Sequence, residues 1–246
     1  MNLDFLTVPA GADAPGTDAP VARSTMETSA RAAGARLEVR DGWSVAVGYG
    51  ATAAQEAAAA AETVGWADVS HLGKLEVQGP PAALERIAAV CEASIALGEA
   101  RRHAGAWWCQ ITGDRLLVIG DVDAVRERLR EAADGDGVSV LDVTTKFAAM
   151  TLVGPQARET FARFCALDLR PEHTPVCALR PGSIGRQPAI LVCEAENRYL
   201  FLFGWATGEY MWTVVADAAR HLGGQPVGVD ALAVLTTDAT EARVNA

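Results

Sequence analysis

No apolar run in this sequence approaches the roughly 20 residues needed to span a bilayer. The N-terminus lacks the basic-then-apolar order of a secretory leader, so neither membrane insertion nor export is expected. Cysteines are few: five (Cys91, Cys109, Cys165, Cys177, Cys193), none spaced as a zinc knuckle or a CxxC redox pair. Cys91, Cys109 and Cys193 sit among apolar neighbours and read as buried free thiols. No metal site is expected, and the lack of a disulfide framework makes a reducing cytoplasm the expected compartment. Basic residues are outnumbered, 21 against 31 acidic, for a net charge of −10. That balance argues against a broad nucleic-acid or anionic-membrane surface. Gly-x-Ser-x-Gly, phosphate-loop, GxGxxG and HExxH patterns are all missing.

What is present is enough apolar residue for a substantial core: half of 246 residues. The chain is organised around Trp66-Ala67-Asp68-Val69-Ser70-His71-Leu72-Gly73-Lys74-Leu75-Glu76-Val77-Gln78-Gly79-Pro80. Leu75 and Val77 alternate with Glu76 and Gln78, the period of a half-buried strand, and Gly-Pro ends the strand and opens a helix. A variant returns at Leu141-Asp142-Val143-Thr144 and runs to Val153-Gly154-Pro155. Each half reads as strand, Gly-Pro, helix, hairpin, Gly, helix, with Gly120 and Gly204 in matching places. The duplication predicts an α+β fold, pseudo-twofold, with mostly antiparallel sheets and outer helices. The halves fall at about 66–134 and 138–222 within a domain of 24–235. Residues 1–23, rich in Gly, Ala, Asp and Pro, read as a flexible tail. Residues 236–246 read as a frayed polar tail.

Ahead of the first phrase, a short helix over 25–33, a hairpin over 36–47 turning at Asp41-Gly42, and an Ala-rich helix over 53–64 are expected. Within the halves, 98–105 reads as a polar connection and 167–183 as irregular. Residues 226–235 read as a final strand or turn.

Chemistry-bearing residues each carry two readings. Ser70-His71 is a nucleophile and base on one reading; on the other, Ser70 caps a turn and His71 is a packing residue. Neighbours on extended chain point opposite ways, so the second is preferred. Trp107-Trp108 is half core and half surface, or a stacking platform. Trp205, Tyr210 and Trp212 read as packing. Glu194 and Glu196 read as a solvated hairpin, or as a paired-carboxylate site.

The Asp68-Val69-Ser70-His71-Leu72-Gly73-Lys74…Gly79-Pro80 phrase resembles the signature of the glycine-cleavage T-protein (aminomethyltransferase) family. Ala33-Gly34-Ala35-Arg36 and Gly42-Trp43 resemble its opening. Gly208-Glu209-Tyr210-Met211-Trp212 and Leu222-Gly223-Gly224-Gln225-Pro226-Val227-Gly228-Val229-Asp230-Ala231-Leu232 are similar to the end of its folate-binding domain. The family includes the folate domains of sarcosine and dimethylglycine oxidases and the small gamma subunit of tetrameric sarcosine oxidase. The resemblance implies a tetrahydrofolate scaffold for one-carbon transfer. On it, Ser70, His71, Glu196 and Tyr199 are candidate cofactor-binding residues, and His71 and Glu196 candidate catalytic groups. It ends at Leu235, so no C-terminal barrel is expected.

The departures are as informative. Active members carry Asp-Asp where this chain has His103-Ala104-Gly105-Ala106-Trp107-Trp108, which holds no carboxylate. Glu196 matches the first of two family glutamates in the second hairpin, and Leu200 replaces the second. The family's arginine falls at Thr236. A gamma-like subunit assembling with flavoprotein amine oxidase or demethylase chains is therefore expected, with weak or no transferase activity. The alternative is an active tetrahydrofolate-dependent transferase or demethylase with a rewired site.

Overall fold

The repeated phrase becomes a strand exchange between two sheets. The computed structural model describes residues 20–133 and 137–244. Its first segments are β1 (Ala22–Arg23), α1 (Glu27–Ala32), β2 (Arg36–Arg40), β3 (Trp43–Gly48) and α2 (Ala53–Glu62). Asp41 and Gly42 take left-handed backbone angles at the β2–β3 turn. Thr52 caps α2 in a reciprocal box with Gln55. The first half follows as β4 (Gly65–Asp68), β5 (Gly73–Gln78), α3 (Pro81–Val90), β6 (Ala100–His103), β7 (Ala106–Thr112), β8 (Arg115–Gly120) and α4 (Asp123–Ala133). The second repeats that order as β9 (Ser139–Asp142), β10 (Phe147–Val153), α5 (Ala157–Ala162), β11 (Leu179–Ile184), β12 (Gln187–Ala195), β13 (Arg198–Gly204) and α6 (Gly208–Arg220). β14 (Gln225–Pro226) and α7 (Val229–Val244) complete the chain.

One sheet runs β6-β7-β8-β5-β9 and the other β11-β12-β13-β10-β4-β14. Each half thus contributes its own hairpin and central strand, while its first strand pairs in the other half's sheet. β4 lies antiparallel to β10, with Met150 opposite Asp68, and β9 antiparallel to β5, with Leu75 opposite Asp142. Parallel pairing occurs where β14 meets β4 and β1 meets β3. The pattern is the internally duplicated, mostly antiparallel α+β arrangement that the sequence predicts, with no closed barrel among the described residues.

Three cores result. Leu75, Val77, Trp108 and Leu116 pack outward under α3 and α4. Trp66, Met150, Phe161, Phe201 and Trp212 pack outward under α1, α5 and α6. Between the sheets, Val69, Trp107, Leu117, Ala149 and Leu200 meet, closed at one end by Ala57, Ala60, Ala231 and Leu232 of α2 and α7. Gly154 makes the second strand-to-helix turn possible: its φ is +121°, and a Cβ there would lie 2.2 Å from the Ala60 carbonyl oxygen.

Several elements differ from the sequence reading. The expected tail of 1–23 lies outside the described residues up to position 19. Ala22 and Arg23 form a strand on β3. Residues 98–105 contain β6 and the irregular stretch contains β11; both are edge strands, which need little apolar alternation and tolerate Pro181. Residues 226–235 hold only the end of β14 before α7 starts, and α7 continues through the expected polar tail to Val244. Its apolar positions pack on α2 and β3, tertiary support that a local pattern does not report.

Candidate functional site

The two Asp-Val-Ser/Thr turns are the crossovers where the chain passes from one sheet to the other. Asp68 Oδ1 accepts from the Ser70 amide at 2.9 Å, and Asp142 Oδ1 accepts from the Thr144 amide at 2.9 Å. Each hydroxyl then accepts an amide of the opposite half's central strand: Ser70 Oγ from Ala149 at 3.1 Å, Thr144 Oγ1 from Lys74 at 3.0 Å. The amides of Val69 and Val143 donate to the carbonyls of those same residues, Ala149 and Lys74, both at 2.9 Å. Ser70 is therefore a fully buried fastener of the exchange.

At the centre the halves part company. Lys74 takes the place that Ala149 holds in the other copy, and it is fully buried. Its Nζ donates to the carbonyls of Ser70 (2.9 Å) and Leu72 (2.8 Å). Burial pushes its amine down to about 8, partly offset by Asp68 and Asp142. Burial pushes the Asp68 carboxyl up, against the Ser24 and Ser70 hydrogen bonds and the Lys74 charge. His71 is half-buried; burial first, then Lys74 and Arg40, lower it to about 4, so the imidazole is neutral at physiological pH. It is placed as a neutral group near two cations, and among the described residues no carboxylate is paired with it to prime it as a base.

The other candidates lie elsewhere. Glu196 is exposed at the β12–β13 turn. Tyr199 is buried in the outer core beneath α5, edge-on to Phe161 at 5.6 Å. Trp205 meets Trp43 edge-on and Trp212 meets Trp66 edge-on, as packing.

A different group converges where the two hairpins meet α7. Glu194 Oε1 accepts from Trp107 Nε1 at 2.7 Å, and Glu194 Oε2 from Arg198 at 3.1 Å. Arg198 reaches on to the Leu232 carbonyl (3.2 Å) and Thr236 Oγ1 (3.0 Å). The Arg102 guanidinium lies 5.7 Å over the Trp107 ring. Glu194 and Glu196, two residues apart, would share a face under regular strand alternation. A register shift between Cys193 and Ala195 breaks that alternation, leaving Glu194 half-buried and Glu196 outside. The signal for Glu194 was its pairing with Arg198 four residues on, across a two-residue turn.

The face around this group is apolar, formed by Val192, Leu200, Leu202, Leu117 and Ile119. Both Glu194 oxygens are already engaged. A pterin edge needs carboxylate acceptors, and Leu200 offers none. The residues present do not fit tetrahydrofolate in the manner of the active family site. An open groove of about 520 Å³ runs instead along α5, lined by Pro155, Arg158, Glu159, Cys165, Leu167 and Arg170 among others. Among the described residues no three His, Cys, Asp or Glu groups converge as metal ligands, and no helix is long and apolar enough to cross a membrane.

Comparison with known proteins agrees with this architecture. No family model matches the chain. An aminomethyltransferase of Frankia alni is 30% identical over 227 residues, covering 83% of this chain and 60% of the relative. One of Mycobacterium avium is 27% identical over 241 residues, covering 90% and 64%. The chain thus spans about three-fifths of the length of these curated relatives. Among solved structures, the glycine cleavage system aminomethyltransferase T of Bartonella henselae superposes with a TM-score of 0.70 at 16% identity, over 86% of this chain and 60% of that one. A chain of the heterotetrameric sarcosine oxidase of Corynebacterium sp. U-96 superposes with a TM-score of 0.61 at 21% identity, over 69% of this chain and 92% of that one. The duplicated sheets and these relatives together give the chain the fold of the glycine-cleavage T-protein (aminomethyltransferase) family and a sequence similar to its members.

Proposed function

We propose that this chain is a subunit-type member of the family, acting in one-carbon metabolism with weak or no transferase activity of its own. It assembles with flavin-bearing amine oxidase or demethylase chains, in the cytoplasm. The observation that carries the reading is the closed Glu194 clamp. Glu194, two residues before the glutamate that matches the family's first, is spent on Trp107 and Arg198, Leu200 replaces the second, and no carboxylate stands at 103–108. Opening the clamp for a ligand would strand a buried indole N–H, at about 1–3 kcal/mol. The likeness to a chain of a heterotetrameric sarcosine oxidase, of which 92% is covered, supports the subunit role.

The exposure of Glu196 favours a second reading, a tetrahydrofolate-dependent transferase with a rewired site at His71 and Glu196. Calorimetric titration with tetrahydrofolate separates the two. The subunit reading expects no saturable heat at millimolar ligand. Tight binding that Glu196→Ala abolishes would overturn it in favour of the transferase. Purification of the tagged chain from its own cells should bring down a flavoprotein with visible flavin absorbance. A monomer without flavin would count against the assembly.

A further inference from the structure

Two of the five cysteines meet where the chain enters β11 beside β12. The Cys177 amide donates to the Cys193 carbonyl at 2.8 Å, and the Cys193 amide donates to the Ala178 carbonyl at 3.0 Å. Cys177 and Ala178 together oppose Cys193, a bulge at the mouth of an edge strand. The 2.8 Å bond between the main chains of Cys177 and Cys193 brings the two residues side by side, and the Cys177 thiol bears electrostatically on that of Cys193. The two thiols differ in access: Cys177 is exposed and Cys193 is buried.

The backbone singles out Cys177 as well. Its φ is +68°. The Ala178 amide donates to the Pro175 carbonyl at 3.0 Å, closing a turn whose third residue is Cys177. Glycine is the residue such a position favours. A cysteine held there is strained, and strain of this kind concentrates at functional positions.

We propose that Cys177 and Cys193 are a redox-active thiol pair, oxidised to a disulfide by hydrogen peroxide. The Cys177 thiolate attacks one peroxide oxygen; the O–O bond breaks, a sulfenic acid forms and water leaves. The Cys193 sulfur then displaces that oxygen; the S–O bond breaks, the S–S bond forms, and a second water carries away the Cys193 proton. Two thiols are oxidised and one peroxide is reduced to two waters. Burial, and secondarily the neighbouring Cys177, push the Cys193 thiol up to about 11, so the second step quickens as pH rises. The link would tie β11 to β12 at the seam of the two sheets, where Glu99 pairs with Ala178 and the Ala100 amide donates to the Cys177 carbonyl.

The test is thiol counting and peptide mapping of the full chain after stoichiometric hydrogen peroxide. The expected result is a fall from five free thiols to two fewer, one intramolecular Cys177–Cys193 link, and full recovery with dithiothreitol. Cys177→Gly, which suits the left-handed backbone, should fold normally and keep its remaining thiols under the same dose. Cys193→Ala should stop at a Cys177 sulfenic acid that dimedone traps. Retention of all five thiols, a link mapped to another pair, or equal thiol loss in Cys177→Gly would overturn the proposal.

Discussion

The two crossovers share a backbone and differ in what they enclose. Both use an aspartate to turn the chain and a hydroxyl to fasten it to the opposite half's central strand. In the second copy, Asp142 is solvent-facing and paired with Arg126 at 2.8 Å, which with the Thr144 hydrogen bonds holds its carboxyl below the usual range despite partial burial. In the first, Asp68 is buried and pushed up, and Lys74 fills the place of Ala149. Two residues further along the strand, buried Glu76 stands where the second copy has Thr151, and Lys146 reaches it at 3.3 Å. Duplication therefore preserved the fastening geometry and concentrated the buried charge in one copy. The fold needs the geometry twice; it tolerates the charge only where carbonyls and carboxylates surround it.

The sharpest way to break the comparison is to give the first copy the second copy's residue. Lys74→Ala strands the Ser70 and Leu72 carbonyls and removes the cation beside Asp68. Losing one partner of a buried charged cluster costs about 3–5 kcal/mol. Urea denaturation should show that loss at neutral pH. An unchanged midpoint would mean that Lys74 contributes nothing to the exchange.

His71 stands where the second copy has Thr145, and it adds a pH dependence the second copy lacks. The fold holds the imidazole neutral down to about pH 4, whereas in the unfolded chain it titrates near 6.5. Stability from this group is fully present above about 6.5. It falls as pH drops towards 4, because the unfolded chain takes up a proton that the fold refuses. The loss is on the order of 3 kcal/mol. His71→Thr should flatten the stability profile across that window. A profile as steep as that of the parent chain would assign the slope to other groups.

The contrast also marks what the sequence could convey. The repeated Asp-Val-Ser/Thr and Gly-Pro punctuation made the duplication readable, because turn chemistry depends on a few local residues. Which sheet β4 and β9 join was hidden, since strand period says which side chains share a face and nothing about the neighbouring strand. Edge strands β6 and β11 were missed because exposed edges carry arginine and proline in place of alternation. At the hairpin, Glu196 is named by its match to a family glutamate, and such a match carries no sign of the bulge between Cys193 and Ala195 that leaves Glu194 half-buried and Glu196 exposed. Tyr199 was read from family position, while the pleat turns it into the outer core.

The smallest effect tests the part the copies share. Ser70 and Thr144 do the same job, each hydroxyl accepting one amide of the opposite central strand. Ser70 is fully buried and Thr144 only partly. Ser70→Ala leaves the Ala149 amide without its acceptor in a dry interior, for a loss of about 2 kcal/mol. Thr144→Val leaves the Lys74 amide in the corresponding position, but water can reach the half-exposed turn, and the loss should be nearer 1 kcal/mol. The double variant tests whether the fasteners act independently: additive losses would make them separate clasps. A combined loss clearly different from the sum would make the two crossovers one cooperative unit, with the symmetry of the hydrogen bonds extending to their energetics. Equal single losses would show instead that burial does not distinguish the copies at this point, and that their difference lies in Lys74, Asp68, His71 and Glu76.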